Sequence, residues 1–321
     1  MGTLKIMETV NMTSQRAGRT ARGIYVANLV AQAAIVITGA TVRVTGSGLG
    51  CPTWPQCIDG SYIPTVHQEQ GWHKQVEFGN RALTFILVLL AVAALIAAVV
   101  DQRRRVANGG QSRGFLLVLA AIPILGTFAQ AVLGGITVLT GLSPITVASH
   151  FVVSMILIAG CVALVVRSRD DGDATPTLLV RPEIRKLTWV LLAMTGLVVV
   201  LGTIVTGSGP HSGDAAAENR FTLDPQTISW LHADVVLLFV GLLIALLLAL
   251  HLTNGPRKAI TLAWTLVGIT LAQASVGYTQ YFTGLPIVLV LIHVTGAVGL
   301  WVTILFMPST ERTRGPSLFK K

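Results

Sequence analysis

Eight stretches along this chain are dominated by apolar residues for about twenty positions each: 23–42, 78–100, 115–136, 145–166, 187–206, 228–250, 259–280 and 286–307. A helix rising 1.5 Å per residue needs roughly 20 such residues to cross the hydrocarbon core of a bilayer. The pattern therefore predicts an all-α integral membrane protein with eight transmembrane helices. Polar residues run to Arg22 ahead of the first stretch, which is itself span-length, so 1–22 reads as a disordered tail and not as a cleaved signal peptide. The polar linker 168–186 separates a first half of four spans (23–167) from a second (187–307), and 308–321 forms a second tail.

Composition supports this reading. Charged residues make up 12% of the chain, against about 25% in soluble domains. The net charge of +9 raises the question of an acidic partner such as nucleic acid, but its distribution answers it. Nineteen of the 23 Lys and Arg fall in the two tails, the Arg103–Arg104–Arg105 turn with Arg113, the 167–186 loop and Arg257–Lys258. The opposite face keeps only Arg43, Lys74, Arg81 and Arg220. By the positive-inside rule both termini lie in the cytoplasm, and the basic excess reports orientation in a cell membrane. No nucleic acid is implied.

The chain also repeats itself. Gln130 to His150, "QAVLGGITVLTGLSPITVASH", aligns without gaps on Gln273 to His293, "QASVGYTQYFTGLPIVLVLIH", at an offset of 143. Val-Thr-Gly-Ser-Gly recurs after the first span and at the end of the fifth. Four spans per unit preserve orientation, so the expected architecture is two parallel-repeat four-helix bundles. Gly134, Gly135 and Gly277 are expected to let helices approach closely. "GSGLG" at 46–50 lacks the βαβ setting of a nucleotide site and reads as a flexible loop start.

Three of the seven histidines, His150, His232 and His293, stand four to eight residues inside even-numbered spans, at one depth below the outer face. His67, His73 and His211 fall in outer loops and His251 at an inner helix end. Imidazole is a common ligand of haem iron. His232 and His293 suit the two faces of one macrocycle in the second half, and zinc would want more ligands than that depth offers. The first half is unequal: opposite His150 the second span brings Glu77, Asn80 and Arg81 onto one helix face and no histidine. A carboxylate there, Glu77, is a candidate proton acceptor, with an interfacial ion pair to Arg81 as the plainer reading. The inner halves of the spans read as almost purely apolar. Cys51 and Cys57 in the outer "CPTWPQC" loop are expected to form a disulfide, structural or redox-active; Cys161 reads as packing.

Together these residues resemble the haem A synthases. The likeness runs from about Ile24 to Phe306 and rests on the eight spans, "TGSGLGCPTWPQC", "EFGNR", "TVASH", "SWLHAD" and "LVLIHVTG". The resemblance implies oxidation of the C8 methyl of haem O to the formyl of haem A, for aa3-type terminal oxidases. It implies a haem b cofactor held by His232 and His293. The substrate haem is placed in the first half, with His150 as its ligand, Glu77 as the catalytic acid group, and Asn80 and Arg81 beside it. Where the family has a histidine in the second span this chain has Asn80; what replaces the ring stays open, with His73 the weaker candidate. The implied partners are the haem O substrate, a farnesyltransferase that makes it, an electron acceptor and the lipid bilayer. Two other classes compete. A cytochrome b-like quinol oxidoreductase subunit would need two fully ligated haems, which Asn80 opposes. A transporter would place its polar groups near the midplane.

Overall fold

The computed structural model describes residues 2–109, 112–170, 174–211, 213–214 and 220–315, with side chains from residue 18 onward. Its eight helices are α1 (Gly2–Val44), α2 (His73–Ala107), α3 (Gly114–Leu139), α4 (Pro144–Arg169), α5 (Pro182–Ser208), α6 (Pro225–Leu252), α7 (Arg257–Phe282) and α8 (Ile287–Thr310). All eight are long and apolar enough to cross a membrane. Proline occupies the first turn of α4, α5 and α6, where its missing N–H costs no bond. The Asp224 carboxylate caps α6 by accepting from Thr227 N.

Helices α1 to α4 contact one another in a ring (α1–α2, α2–α3, α3–α4, α1–α4), and α5 to α8 do the same. The seam between them is made by α1–α8, α4–α5 and α4–α8. Lipid tails are as apolar as leucine, so association here depends on close fit and small residues. On α2, Ala91, Ala94 and Ala98 are wholly buried. Helices α3 and α4 exchange knobs: Leu157 fills the space over Gly126 and Ile122 that over Gly160. The α3–α4 and α7–α8 turns share a backbone form, with Gly141–Leu142 and Gly284–Leu285 all at positive φ. A leucine in that region costs about 1–2 kcal/mol, and both turns bear it.

Several expectations change. The 1–22 stretch is helical from Gly2, because a nucleated span propagates cheaply through a segment without proline. The second helix begins at His73, not near 78, and its last turns include the Arg103–Arg105 run expected to be a turn. The described part of the 308–321 tail is tied down. Two short strands, β1 (Thr177–Leu178) and β2 (Arg312–Thr313), pair antiparallel, and Leu179 N donates to Glu311 O at 2.8 Å. Residues 316–321, with Lys320 and Lys321, lie outside the described residues. The inner halves of the first-half spans are not purely apolar. Asn28 and Gln32 are buried there, with Gln32 Nε2 donating at 2.9 Å to Oγ1 of Thr127, which is buried near the middle of α3.

Candidate functional site

The three histidines stand six, seven and six residues past the first residue of α4, α6 and α8, which is about 9–11 Å down each helix. Each leans on a glycine of the helix before it. A Cβ on Gly134 would lie 3.3 Å from His150 Cε1; on Gly202, 3.5 Å from His232 Cε1; on Gly277, 3.5 Å from His293 Cε1. The close approach that glycines were expected to give to helix backbones goes to imidazole rings, and at Gly135 to the indole of Trp54. A glutamine one turn before two of these glycines then fixes the partner helix. Gln130 Nε2 donates to His150 O at 2.9 Å and Gln273 Nε2 to His293 O at 2.8 Å.

In all three rings Nδ1 is enclosed and makes no hydrogen bond. The carbonyls of Val198 and Gln273 lie alongside His232 and His293 without closing one. With Nδ1 enclosed in each ring, Nε2 is the nitrogen left to bind a ligand. His232 and His293 stand within electrostatic range of each other. Buried imidazoles with an unused nitrogen, held against glycine so that nothing else fills their space, suit axial ligands of a haem. The second half offers two, the first half one.

At the fourth corner Asn80 Oδ1 accepts from Thr38 Oγ1 at 2.7 Å, so its carbonyl end is committed to α1. His73 does not replace a ring there. It starts α2, seven residues and about 10 Å further out, with Nδ1 2.8 Å from Ser47 Oγ and its ring stacked on Trp72.

Glu77 and Arg81 hold the outer loop. Glu77 Oε2 accepts from Cys51 N at 2.6 Å, and its Oε1 takes the Arg81 guanidinium. Arg81 also donates to the carbonyls of Cys51, Thr53 and Gln56 at 2.7–3.1 Å. The loop they grip is closed by the Cys51–Cys57 disulfide, both sulfurs buried. The "GSGLG" segment is packed, not flexible: Ser47 is wholly buried and a Cβ on Gly50 would strike the His73 carbonyl. Glu77, expected as a proton acceptor, thus already carries charge-assisted bonds on both oxygens. The partners sequence reading missed are Thr38, Trp54 and Gly202. Gly134 and Gly277 each precede their histidine by sixteen residues, a spacing the repeat alignment held without naming its purpose.

Residues 22–305 match the family described as cytochrome oxidase assembly protein, COX15-CtaA. A relative named Heme A synthase from Halalkalibacterium halodurans is 28% identical over 79% of this chain and 82% of its own length. Another of that name, from Symbiobacterium thermophilum, is 27% identical over 89% of this chain and 94% of its own. With the Exiguobacterium sibiricum Heme A synthase the match is 28% over 54% of this chain, about half (55%) of that protein's length. The chain belongs to the COX15-CtaA family of cytochrome oxidase assembly proteins.

Proposed function

We propose that this protein is a haem A synthase, oxidising the C8 methyl of haem O to a formyl group. The observation that carries the reading is the histidine-on-glycine pair, made three times at one depth and replaced at the fourth corner by Asn80 bonded to Thr38. His232 and His293 would hold a haem b, which when bound would supply a one-electron couple for a one-electron acceptor. His150 holds the substrate haem from one side. Asn80 leaves the other side without an imidazole, so that the substrate is retained less tightly than a resident cofactor and leaves once oxidised. That asymmetry separates the reading from an electron-carrying cytochrome b-like subunit.

Arg81 and Glu77 act by position. They clamp the disulfide loop so that Trp54 lies against Gly135, next to the glycine that seats His150. Haem O comes from a farnesyltransferase working in the same membrane, and both chain ends face the cytoplasm, where most of the basic residues lie.

The test is expression with and without a haem O-forming enzyme, followed by extraction and mass analysis of the haems. Haem A, heavier than haem O by one oxygen less two hydrogens, is expected only when haem O is supplied. Recovery of haem O and haem b alone, from folded protein, would overturn the assignment.

A further inference from the structure

A polar track runs inward from His150 through the middle of the first half. Gln130 bonds Ser154 and the His150 carbonyl. One turn down α3, Thr127 accepts from Gln32. One turn down α1, Asn28 Nδ2 donates to Cys161 Sγ at 3.4 Å. A further turn brings Tyr25, 1% exposed, within electrostatic range of Asp101 at the inner end of α2. Neighbours three or four apart on a helix share a face, so these steps follow one line from the outer leaflet to the face that carries both termini.

Interhelical hydrogen bonding that merely joins helices would leave its members paired. Here Tyr25 Oη, Asn28 Oδ1 and Gln130 Oε1 are all enclosed without a hydrogen-bond partner in the protein. Buried polar atoms of this kind are normally served by water that has several such partners within reach. Among the described residues the second half keeps only the first step, Gln273 on the His293 carbonyl, and not the rest. At the offset of 143, Ser154 becomes Ala297 and Cys161 becomes Ile304. Its buried Thr195 and Thr270 bond within their own helices, and Thr188 is taken by Glu311. Among the described residues, no enclosed side-chain atom of α5 to α8 inward of the histidine level lacks a partner.

We propose that the track from Tyr25 to Ser154 is a hydrated column that conducts protons between the His150 site and the membrane face bearing the termini. It rests on the reading that a substrate is oxidised in the first half, since oxidising a methyl releases protons into a pocket walled by apolar helices. With the formyl oxygen taken from water, R–CH3 and H2O give R–CHO, four protons and four electrons; the column carries only the protons, and the electrons go to the external one-electron acceptor.

Cys161 makes the column observable without any turnover. It is the free cysteine of the chain, Cys51 and Cys57 being joined, and it is buried beside Asn28. Its S–H infrared band is followed after purified full-length protein in lipid nanodiscs is moved into D2O. Exchange within minutes is expected for the wild type. Tyr25→Phe should slow it about tenfold, whereas Gln32→Leu, on the far side of Cys161, should leave it unchanged while lowering haem A formation about tenfold at unchanged haem content. A wild-type thiol that keeps its proton for hours would overturn the proposal. So would slowing by Gln32→Leu alone, which puts access on the other face, or a Gln32→Leu variant that forms haem A at the wild-type rate. Fast, Tyr25-gated exchange in a protein that makes no haem A would instead sink the proposed activity and leave a conducting column standing.

Discussion

At the scale of single residues, Asn80 decides more than any other position. Asparagine is a poor iron ligand, and this one is turned toward α1 by its 2.7 Å bond from Thr38. Replacing it with histidine removes that bond and offers an imidazole on the face opposite His150. Asn80→His is therefore expected to raise the haem content of the purified protein while slowing release of product. Haem per polypeptide and the absorption spectrum check this; an unchanged ratio would mean that the fourth corner is not part of the substrate site. The sequence showed the departure at Asn80 but not its cause, because Thr38 is 42 residues away on another helix. It likewise named the histidines but not their seats, since Gly202 falls outside the aligned repeat.

At the scale of elements, apolar runs and charge placement made all eight spans legible, but not how the ends are tied. A single amide in a twenty-residue apolar window barely changes its average, so Asn28 and Gln32 were hidden inside a good span. The inner end of α8 shows the same blindness: a stretch that reads as a tail is anchored by the Glu311 carboxylate, wholly buried against Arg185 and Thr188. Burial pushes the Glu311 carboxyl above its ordinary value of 4.5, and the bonds from Thr188 and Arg185 only partly offset this. A carboxyl whose folded pKa exceeds its unfolded one favours folding most when protonated. That contribution is complete below 4.5 and is lost as pH rises through the folded value. Glu311→Gln keeps the shape and removes the titration. The variant is expected to melt at a higher temperature than the wild type near neutral pH, with the difference shrinking as pH falls toward 4.5. Melting temperature against pH is the measurement, and a variant less stable than the wild type at neutral pH would show that the ion pair with Arg185 outweighs the cost of burying the charge.

For the whole molecule, the question is whether two halves with different interiors behave as one body. Several contacts cross between them. Arg43, at the outer end of α1, donates to the carbonyls of Thr206 and His211 at 3.0 and 2.8 Å, and Gly48 N donates to Gly213 O. Deeper in the membrane, Trp301 of α8 donates from Nε1 to Met155 O of α4 at 2.9 Å and packs against both hydrophobic cores. Its indole is thus shared by the half with the polar track and the half in which, among the described residues, no enclosed inner side-chain atom lacks a partner. Truncating it to alanine removes that shared volume from the seam, at a cost of about 3–5 kcal/mol. The loss falls on the interface and not on either four-helix ring, so Trp301→Ala is expected to split a single calorimetric transition into two, with the haem that His232 and His293 would hold lost in only one of them. Trp301→Phe keeps most of the packing and gives up one hydrogen bond worth about 1 kcal/mol, so it should retain a single transition at a slightly lower temperature. If Trp301→Ala also melts in one step, the outer contacts through Arg43 and Gly48 suffice to join the halves, and the indole is packing without a coupling role.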